Sequence, residues 1–594
     1  MKNKKYVATF ESNNNNNSMS IKSISFIDLN AEESRDNIHT CDGVEDFLNA
    51  LYDTGVNSRV YFHDLKIAGN FMINWLIDSD RYKEGVDPEG KLRKRDDLLP
   101  YRYTYVVSTS GEWYSITIKG KKNIISLYDS SKLLPFTIDD IKTNFRTIAD
   151  DPILILYEAL NEMFSRGYNK MTIGACCMAE YKQWCEFDKQ EWEMYFPDLT
   201  KVDCPVDGYK DADDYIRKAY HGGWCYLKPN KQNKLIKNGV TADVNGLYSY
   251  VMHSDSGNVF PIGKPRWFKG ELPEFLDDTF ANGRRKYYYF VRISTRFYIK
   301  RKMLPTVQIK GSPYYHSREW LENSDYKGNK FVIDMDNHMV PVKPTMVLTM
   351  TDFKLLQEHY KLEELEILDG CYFMATDGLF DRYINKFAVL KSRATNPVDR
   401  TIAKLMLNNL SGKFAASPVN EYKMFSKSED GIYAKDTIEE KKRVGYIPIG
   451  AAITSYGRAF TITAAQNNFD SFIYSDTDSI HCNCSAEDLK EVPMHMKKLG
   501  YWKYETTWDQ AIFVRQKTCI EHIIEENLNP VEKPYFKITC AGMGVDSKDT
   551  ICARLEENDI KITDFKPGLK ISNNVKAVSM NGGVTFENHE FVIR

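Results

Sequence analysis

The sequence predicts a multidomain protein of mixed α/β and α+β structure. The chain has 594 residues, 42% of them hydrophobic, which is enough for several packed cores and about three or four domains. Strand-like and helix-like segments alternate through residues 1–171, which is typical of an α/β unit. Residues 257–370 are strand-like and are interrupted by prolines, which indicates a strand-rich insertion in a second region.

Local patterning places the individual elements. Helical spacing of apolar residues occurs in four segments, 69–77, 153–164, 397–410 and 453–468. The dipeptide Ser411-Gly412 is the predicted end of the third helix. Strand patterns occupy residues 6–10, 60–62, 241–244 and the predicted hairpin 472–481. We expect about 45 residues at the C-terminus to form short strands and turns.

The charge of the whole chain gives no sign of a nucleic-acid partner, because the formal net charge is only −3. Basic residues are nevertheless clustered at 91–95, 119–122, 284–286, 300–302 and 441–443. One such cluster is typical of an ordinary solvated surface. Five of them are compatible with a basic groove along a phosphate backbone, balanced by acidic surfaces elsewhere.

The 12 cysteines do not have the spacing of a zinc site, since Cys176-Cys177 and Cys482-x-Cys484 are too close together for paired ligands. We interpret them as reduced thiols of a cytosolic protein. The N-terminus is polar and does not have the pattern of a signal peptide, and we find no apolar run long enough to span a membrane.

Two aspartates lie at the tip of the predicted hairpin, in Tyr474-Ser-Asp476-Thr-Asp478-Ser. Residues i and i+2 of a strand share a face, so these carboxylates can converge at a tight turn. Converging carboxylates repel each other unless a cation lies between them, and Mg²⁺ prefers carboxylate and phosphate oxygens. Turns also favour Asp for local hydrogen bonds, so this pair alone does not distinguish a metal site from a turn.

A cationic helix face and a further acid complete the pattern. Arg400 and Lys404 are four residues apart on one helix, and Asn408 continues their face. A nucleoside triphosphate along this face would meet cations and then a polar group near its base, although an ordinary basic surface is the alternative. Asp243 ends the strand 241–244. The combination is the arrangement that two-metal phosphoryl transfer requires.

The order and amino-acid sequences of these segments resemble motifs A, B and C of family B DNA polymerases. The resemblance is greatest to the protein-primed, strand-displacing enzymes of small tailed phages. The resemblance extends over nearly the whole chain. It is carried by Asp243-Val-Asn-Gly-Leu-Tyr248, Ala403-Lys-Leu-Met-Leu-Asn408, Tyr474-Ser-Asp476-Thr-Asp478, Tyr61-Phe-His-Asp-Leu-Lys66, Thr306-Val-Gln-Ile-Lys310, Thr461-Ile-Thr-Ala-Ala-Gln466, Arg515-Gln-Lys-Thr518 and Cys540-Ala-Gly-Met543.

The resemblance implies roles for individual residues. Asp243 and Asp478 resemble the metal-binding catalytic acids, with Asp476 as a third catalytic residue, and two Mg²⁺ ions, replaceable by Mn²⁺, are the implied cofactor. The residues that resemble contacts to the incoming deoxynucleotide are Tyr248, Lys391, Arg400, Lys404 and Asn408. Tyr248 resembles the ring that excludes ribonucleotides. The residues that resemble contacts to DNA are Tyr220, Gly222, Gly223, Lys517, Phe71, Ser130 and Phe136.

The implied architecture is an RNase H-like exonuclease-type domain followed by a right-hand polymerase domain with two insertions. We expect the exonuclease-type domain at residues 1–171, the palm with motif A at 172–256, and its continuation with motif C at 447–548. The fingers with motif B correspond to 381–414 and the thumb to 549–594. The insertions resemble the first and second terminal-protein regions and correspond to residues 257–380 and 415–446.

Some positions depart from the family pattern. Ser249 stands where motif A has a proline, Ser411 where motif B has a tyrosine, and Cys519 where the KxY motif has a tyrosine. The tyrosine of motif B walls the nucleotide pocket in the family, so its loss affects the expected nucleotide affinity and fidelity. The metal-binding acids are intact, so the polymerase chemistry is expected.

The exonuclease-type domain lacks acids that its own metal site needs. The first motif, usually Asp-x-Glu, is Thr9-Phe-Glu11, and the acid of the second motif is replaced by Ala68. In the third motif, Asp150 or Asp151 is the candidate acid. A hydroxyl and a methyl group cannot replace anionic metal ligands, so we predict that 3′–5′ exonuclease activity is lost or weak.

The resulting hypothesis is a DNA-directed DNA polymerase that replicates a linear viral or plasmid-like genome in the cytoplasm of a bacterial host. The implied partners are a DNA template and primer, deoxynucleoside triphosphates and a terminal (priming) protein, with no membrane contact and a monomeric enzyme. Two alternatives remain: a primer-independent family B polymerase of a mobile element, and a non-catalytic subunit that binds DNA or the terminal protein. The retained acids argue against the second.

Overall fold

The structure is a computed structural model that describes residues 3–15, 18–109, 111–310, 312–325, 331–333, 338–428, 431–441, 445–580 and 583–594. Within these residues the strands form a ten-stranded, a seven-stranded and a four-stranded sheet, together with two separate two-stranded sheets. The first two sheets organise the two halves of the molecule.

A mixed sheet flanked by helices forms the N-terminal region. Its strands are β1 (Lys4–Asn15), β2 (Ser18–Asp28), β3 (His39–Cys41), β4 (Ser58–Phe62), β5 (Lys83–Glu84), β6 (Arg102–Val107), β7 (Trp113–Lys119) and β8 (Ile124–Asp129). Its helices are α1 (Val44–Asp53), α2 (Leu65–Asp78), α3 (Ile138–Phe145) and α4 (Pro152–Ser165). Strands β1, β4 and β8 run parallel at the centre. The predicted α/β unit is confirmed.

The second region begins with helices and then two strands. Its first elements are α5 (Ile173–Cys185), α6 (Lys189–Tyr195), α7 (Ala212–Arg217), β9 (Cys225–Leu227), β10 (Leu235–Val244) and α8 (Leu247–Met252). The predicted strand 241–244 is therefore the end of a longer strand, β10. The first four residues of β10 are exposed except for Ile236. The strand is then buried from Gly239 to Ala242, just before Asp243.

The strand-rich insertion contains a four-stranded sheet. Its elements are β11 (Phe260–Lys269), β12 (Tyr287–Ile299), β13 (Phe331–Ile333), β14 (Met339–Pro341), β15 (Thr345–Thr349), α9 (Met350–His359) and β16 (Tyr360–Thr376). The sheet order is β11-β16-β12-β15. Helix α9, which sequence patterning missed, begins where the side chain of Thr349 accepts a hydrogen bond from the Asp352 amide.

The rest of the chain completes the second region, and its last two strands join the sheet of the N-terminal region. Its elements are α10 (Asp381–Arg393), α11 (Pro397–Phe414), β17 (Val419–Ser428), β18 (Gly431–Lys441), α12 (Ile447–Asn467), β19 (Phe472–Asp476), β20 (Ser479–Cys482), β21 (Trp502–Arg515), β22 (Thr518–Glu526), β23 (Asn529–Cys540), α13 (Val545–Glu556), β24 (Lys570–Met580) and β25 (Gly583–Val592). The central sheet has the order β23-β22-β21-β10-β20-β19-β9. Strand β10, which carries Asp243, therefore lies between β21 and β20.

Two sequence-based boundaries are wrong. The prediction that Ser411-Gly412 ends a helix fails, because α11 continues to Phe414. Leu410 and Phe414 are both fully buried and extend the apolar face of the helix by one turn. That burial outweighs the roughly 1 kcal/mol that a glycine costs inside a helix. The C-terminal residues are also not only short strands and turns, because they contain most of α13 and two long strands.

The hairpin β17–β18 packs against the N-terminal region. The Phe425 ring lies 5.5 Å from the Trp113 ring and 5.3 Å from the Tyr105 ring, measured between centroids. The backbone N–H of Phe425 also donates to the Tyr105 hydroxyl at 2.8 Å. At the other end of the chain, β25 pairs with β2 through Met19 and Val584. The N-terminal region is thus in contact with two distant parts of the sequence. Across the stretches that the structure describes, helices long and apolar enough to cross a membrane are absent.

A buried ion pair joins α12 to the insertion. The Arg458 guanidinium donates to the Asp352 carboxylate from Nη2 at 2.6 Å and from Nε at 3.1 Å. Its Nη1 donates to the carbonyl oxygens of His221 and Gly222. The side chains of Arg458 and Asp352 are only 1% and 7% exposed, so each charge depends on its partner.

We predict that Asp352→Ala destabilises the protein by about 3–5 kcal/mol, because it leaves a buried guanidinium without its carboxylate. The measurement is a shift of the urea unfolding midpoint. The control is Glu364→Ala, whose partly exposed pair with Arg296 should contribute no more than about 1 kcal/mol. Equal effects of the two substitutions would contradict the prediction.

Candidate active site

Asp243 and Asp478 are brought together by adjacent strands. Asp243 lies near the end of β10, opposite Ser479 of β20 and opposite Lys503 of β21. Asp478 lies in the turn between β19 and β20, and its carbonyl oxygen accepts from the Val244 amide at 2.8 Å. This backbone bond fixes the turn against the end of β10. The predicted hairpin therefore exists and lies beside the predicted third acid.

The tip of this hairpin is fixed from two further sides. On one side, the Thr461 hydroxyl of α12 donates to the Thr477 carbonyl at 2.7 Å. On the other side, a Cβ at Gly223 would lie 2.6 Å from the Thr477 side chain, so only glycine allows this approach. Gly223 was predicted as a DNA contact, and the structure shows that it also supports the hairpin.

The pKa of each of the two carboxylates is raised. Burial, followed by the charge of Asp243, raises the pKa of Asp478 to about 6. Burial also raises the pKa of Asp243, although the Lys503 ammonium opposes this shift from 3.2 Å. Two partly buried carboxylates that repel each other are a donor set that fits a hard divalent cation.

Asp476 pairs with a lysine, and its charge is among those that raise the pKa of Asp478. Its Oδ1 accepts from the Lys517 ammonium at 3.0 Å. Lys517 lies in the turn between β21 and β22, and its backbone N–H donates to the Tyr474 hydroxyl at 2.9 Å. In the described part of the chain, no group of three or more acidic, histidine or cysteine side chains is arranged to hold a metal. The candidate donors at this centre are Asp243 and Asp478, with Asp476 alongside.

The cationic helix face predicted from spacing is present on α11. Arg400, Lys404 and Asn408 are all exposed on one face, while Leu405, Met406 and Leu407 between them are buried. Lys391 of the neighbouring helix α10 is only partly exposed. Burial lowers the pKa of Lys391, and the charges of Lys404, Lys503 and Arg400 lower it further. These cations are therefore close enough to act on one anionic ligand.

Tyr248 lies on α8, the helix that follows the strand of Asp243. Its ring packs against α12, where a Cβ at Gly457 would lie 3.0 Å from the Tyr248 Cε1 atom. Burial raises its pKa to about 12, so the hydroxyl stays protonated at neutral pH. The next residue, Ser249, donates from its hydroxyl to the Leu407 carbonyl at 3.1 Å. Ser249, which replaces a proline of the family, thus connects the helix of Tyr248 to α11.

The Tyr220–Gly223 segment crosses behind the hairpin. Tyr220 is partly exposed, and its carbonyl oxygen accepts from the Lys310 ammonium. Gly222 has open space on its Cβ side, in contrast to Gly223. The segment can therefore approach a ligand at Gly222 while it is fixed at Gly223 and by Arg458.

Two residues near the site were missed by sequence reasoning. Lys503 contacts Asp243, and the negative charge of Glu505 raises the pKa of both Asp243 and Asp478. Strand periodicity in the segment 502–515 could have indicated which residues face β10. A register shift in β21 changes that alternation at Glu505, however, and no sequence signal marks it. Two further positions differ from the family pattern. Cys519 is buried in β22, and Ser411 lies partly exposed on α11.

Most of the predicted exonuclease residues, Thr9, Glu11, Asp150 and Asp151, line a cavity of about 710 Å³. Asp64 also lines it, whereas Ala68 is buried on α2 outside it. This cavity is named the N-terminal cleft below.

Each acid of the N-terminal cleft has a local structural partner. Glu11 forms an ion pair with Lys22 at 3.2 Å, and Lys142 binds Asp150 and lowers its pKa. Asp64 and Asp151 cap the N-termini of α2 and α4, where their Oδ1 atoms accept from backbone amides at 3.3 and 3.1 Å. These carboxylates are thus engaged in ion pairs and helix caps.

The predicted primer-strand contacts of this region have mixed positions. Phe71 is buried and packs edge-on against Phe10 at 5.8 Å between ring centroids. Ser130 is buried as well, and its hydroxyl lies 3.0 Å from the Nδ1 atom of His63. Phe136 is partly buried, and its carbonyl oxygen lies 2.8 Å from His63 Nε2. Of the two phenylalanines, Phe136 is the less buried.

The sequence and the fold are similar to those of known polymerases. Residues 149–493, more than half of the chain, match the family model of DNA polymerase type B, organellar and viral. The DNA polymerase of Bacillus phage M2 is 31% identical over 602 residues, covering 94% of each chain. The DNA polymerase of Bacillus phage phi29 is 31% identical over 580 residues, covering 91% of each. The solved structure of phi29 DNA polymerase complexed with primer-template DNA and incoming nucleotide substrates has a TM-score of 0.81 and 28% identity, over 100% of both chains.

These likenesses confirm the predicted resemblance to the protein-primed phage polymerases, and they confirm the exonuclease-type and palm, fingers and thumb architecture. They extend over nearly the full length of the relatives, so they concern the whole architecture rather than one motif. The chain belongs to the organellar and viral type B DNA polymerases, and it is a DNA-directed DNA polymerase.

Proposed function

We propose that nucleotidyl transfer takes place at Asp243 and Asp478, with Asp476 in support. The observation that carries this assignment is the meeting of two mutually repelling carboxylates on adjacent strands, near the cations of α10 and α11. A phosphoryl-transfer site needs such a combination, because anionic ligands hold cations while basic side chains bind the phosphates.

Asp243 and Asp478 would hold the divalent metals, two Mg²⁺ ions with Mn²⁺ as a substitute. When bound, these ions would activate the 3′ hydroxyl of the primer and neutralise charge on the pyrophosphate. The residues of the chain bind and orient the reactants. Lys391, Arg400 and Lys404 bind the triphosphate, and Asn408 lies against the nascent base pair. Tyr248, fixed by Gly457, packs against the deoxyribose and excludes a 2′ hydroxyl.

DNA and deoxynucleoside triphosphates are the proposed substrates. The similar phi29 structure is a complex with primer-template DNA and incoming nucleotides, which supports this assignment. Tyr220 and Gly222 contact the template, and Gly223 contributes through the hairpin that it supports. Lys517 lies near the primer end because it is bound to Asp476. In the N-terminal region the three candidate contacts are Phe71, Ser130 and Phe136, of which only Phe136 is not fully buried.

Initiation is proposed to use a terminal protein, whose hydroxyl takes the place of a primer. The insertion with β11–β16 and the hairpin β17–β18 correspond to the expected terminal-protein regions, with the boundaries predicted from the sequence. The enzyme would act as a monomer in the cytoplasm of a bacterial host, as the Bacillus phage relatives suggest.

The N-terminal cleft is proposed to be inactive as a 3′–5′ exonuclease. Thr9 and Ala68 supply no anionic metal ligand, and this absence of two acids supports the loss of proofreading. The four remaining carboxylates are engaged in ion pairs or helix caps.

We predict that Asp478→Asn reduces primer extension with Mg²⁺ by at least about 10²–10³-fold, because it removes an anionic metal ligand. The measurement is extension of a labelled primer on a longer template. Asp470→Asn is the matched control, since Asp470 is 81% exposed and paired with Lys302. Extension by Asp478→Asn at the parental rate would contradict the assignment.

We predict that the protein leaves a 5′-labelled primer unshortened when nucleotides are omitted, with either Mg²⁺ or Mn²⁺. Extension on adding nucleotides, in the same preparation, is the positive control. Asp150→Asn serves as the diagnostic variant. Shortening that disappears in Asp150→Asn would show that the N-terminal cleft is active and would refute the proposal.

We predict that Asp478→Asn stabilises the metal-free protein at neutral pH. Because the folded pKa of Asp478 is raised to about 6, its contribution to stability is present at low pH and is lost as pH rises through 6. The variant should therefore gain thermal stability over the parent at about pH 7.5, and the gain should shrink towards about pH 4.5. Thermal unfolding in EDTA measures this difference, and a pH-independent difference would refute it.

A further inference from the structure

A lysine occupies the strand position opposite a catalytic carboxylate. In the pairing of β10 with β21, Thr241 faces Thr506, but Ala242 faces Tyr504 and Asp243 faces Lys503. The register skips Glu505, which is a β-bulge in β21. Without the bulge, continued alternation would place Tyr504 opposite Asp243. Bulges near active sites often redirect a side chain in this way.

The bulge places a positive charge on the acid. Lys503 Nζ lies 3.2 Å from Asp243 Oδ1, and the two side chains are 32% and 22% exposed. Directly opposed residues of an antiparallel pair share one face of the sheet, so the contact follows from the backbone register. The ammonium group therefore lies at the carboxylate that the proposed metal site needs.

Lys503 also belongs to the cluster of cations near the site. Its charge lowers the pKa of Lys391, together with the charges of Lys404 and Arg400. Lys503 is thus in contact with Asp243 and near the cations proposed to bind the triphosphate. The acid on its own strand, Glu505, has Lys537 of β23 as a partner at 3.4 Å.

We propose that Lys503 is a resident cation of the active centre, which neutralises Asp243 in the free enzyme and moves to the triphosphate when metal and nucleotide bind. This inference rests on the function proposed above. Asp243 then exchanges one cation for another, and the released ammonium meets the negative charge of the nucleotide. Metal binding to the free enzyme is weakened by this competition, and metal and nucleotide binding become coupled.

The exchange requires no change in the protonation of Lys503. An ammonium is a point charge on a flexible stem, so it can leave one anion for another through side-chain rotation. The partial exposure of the pair allows this movement without opening the core. Lys503 is therefore assigned as a positioning residue for Asp243 in the free enzyme, and as a nucleotide contact in the complex.

The test compares Lys503→Met with Lys533→Met. Both substitutions remove one lysine charge on the central sheet and keep most of the side-chain volume, but only the first removes the partner of Asp243, because Lys533 pairs with Glu556 of α13. Mn²⁺ binding to the nucleotide-free protein is measured by electron paramagnetic resonance. We expect Lys503→Met to bind Mn²⁺ about two- to fivefold more tightly than the parent, the range of a partly exposed ion pair, and Lys533→Met to match the parent.

A second readout is the KM for deoxynucleotide at saturating metal, which should rise in Lys503→Met and recover in Lys503→Arg. Unchanged or weaker Mn²⁺ binding in Lys503→Met, with parental thermal stability, would overturn the proposal. So would an unchanged KM. Asp478→Asn separates this result from the underlying assignment: if it keeps both parental Mn²⁺ binding and parental extension, the proposed site is wrong, whatever Lys503 does.

Discussion

Repulsion between Asp243 and Asp478 is the constraint on which the rest of the active centre depends. Their carboxylates lie in a partly buried site, where charges interact more strongly than in water. Such an arrangement is unfavourable in the free protein, and it persists only because the surrounding backbone fixes it. The amide of Val244 binds the carbonyl of Asp478, and Thr461 and Gly223 fix Thr477 from two sides. The scaffold therefore sustains an electrostatic cost that a bound cation would relieve.

The same support links distant segments to the hairpin β19–β20. Helix α12 provides both Thr461, which contacts the hairpin, and Arg458, which binds Asp352 of the insertion and the carbonyl oxygens of His221 and Gly222. Buried ion pairs are sensitive to geometry, because each charge has lost its water. A displacement of the insertion would therefore act on the segment that carries Gly223, and through it on the hairpin tip.

The two halves of the molecule differ in which acids their sites contain. In the second region Asp243 and Asp476 pair with Lys503 and Lys517, and burial and the charge of Asp243 raise the pKa of Asp478. In the N-terminal cleft, Thr9 and Ala68 have replaced acids, and the remaining carboxylates form ion pairs with Lys22 and Lys142 or cap helices. Carboxylates released from metal binding tend to acquire local partners, since an unpaired charge near a protein surface gains from a nearby lysine or a helix N-terminus.

The sequence by itself determined the family, the acids Asp243 and Asp478, the hairpin and the cationic face of α11, because these follow from motif wording and from periodicities of two and four residues. It misjudged the end of α11, where burial of Phe414 overrides a glycine signal. Only the tertiary structure decided that Asp476 turns to Lys517 and that Lys503 faces Asp243. The physical reason is that the Lys503 contact depends on the register between β10 and β21, which the bulge at Glu505 shifts without a local sequence signal. The Lys517 contact depends on a turn that is distant in sequence and is held beside β19 by the Tyr474 hydroxyl.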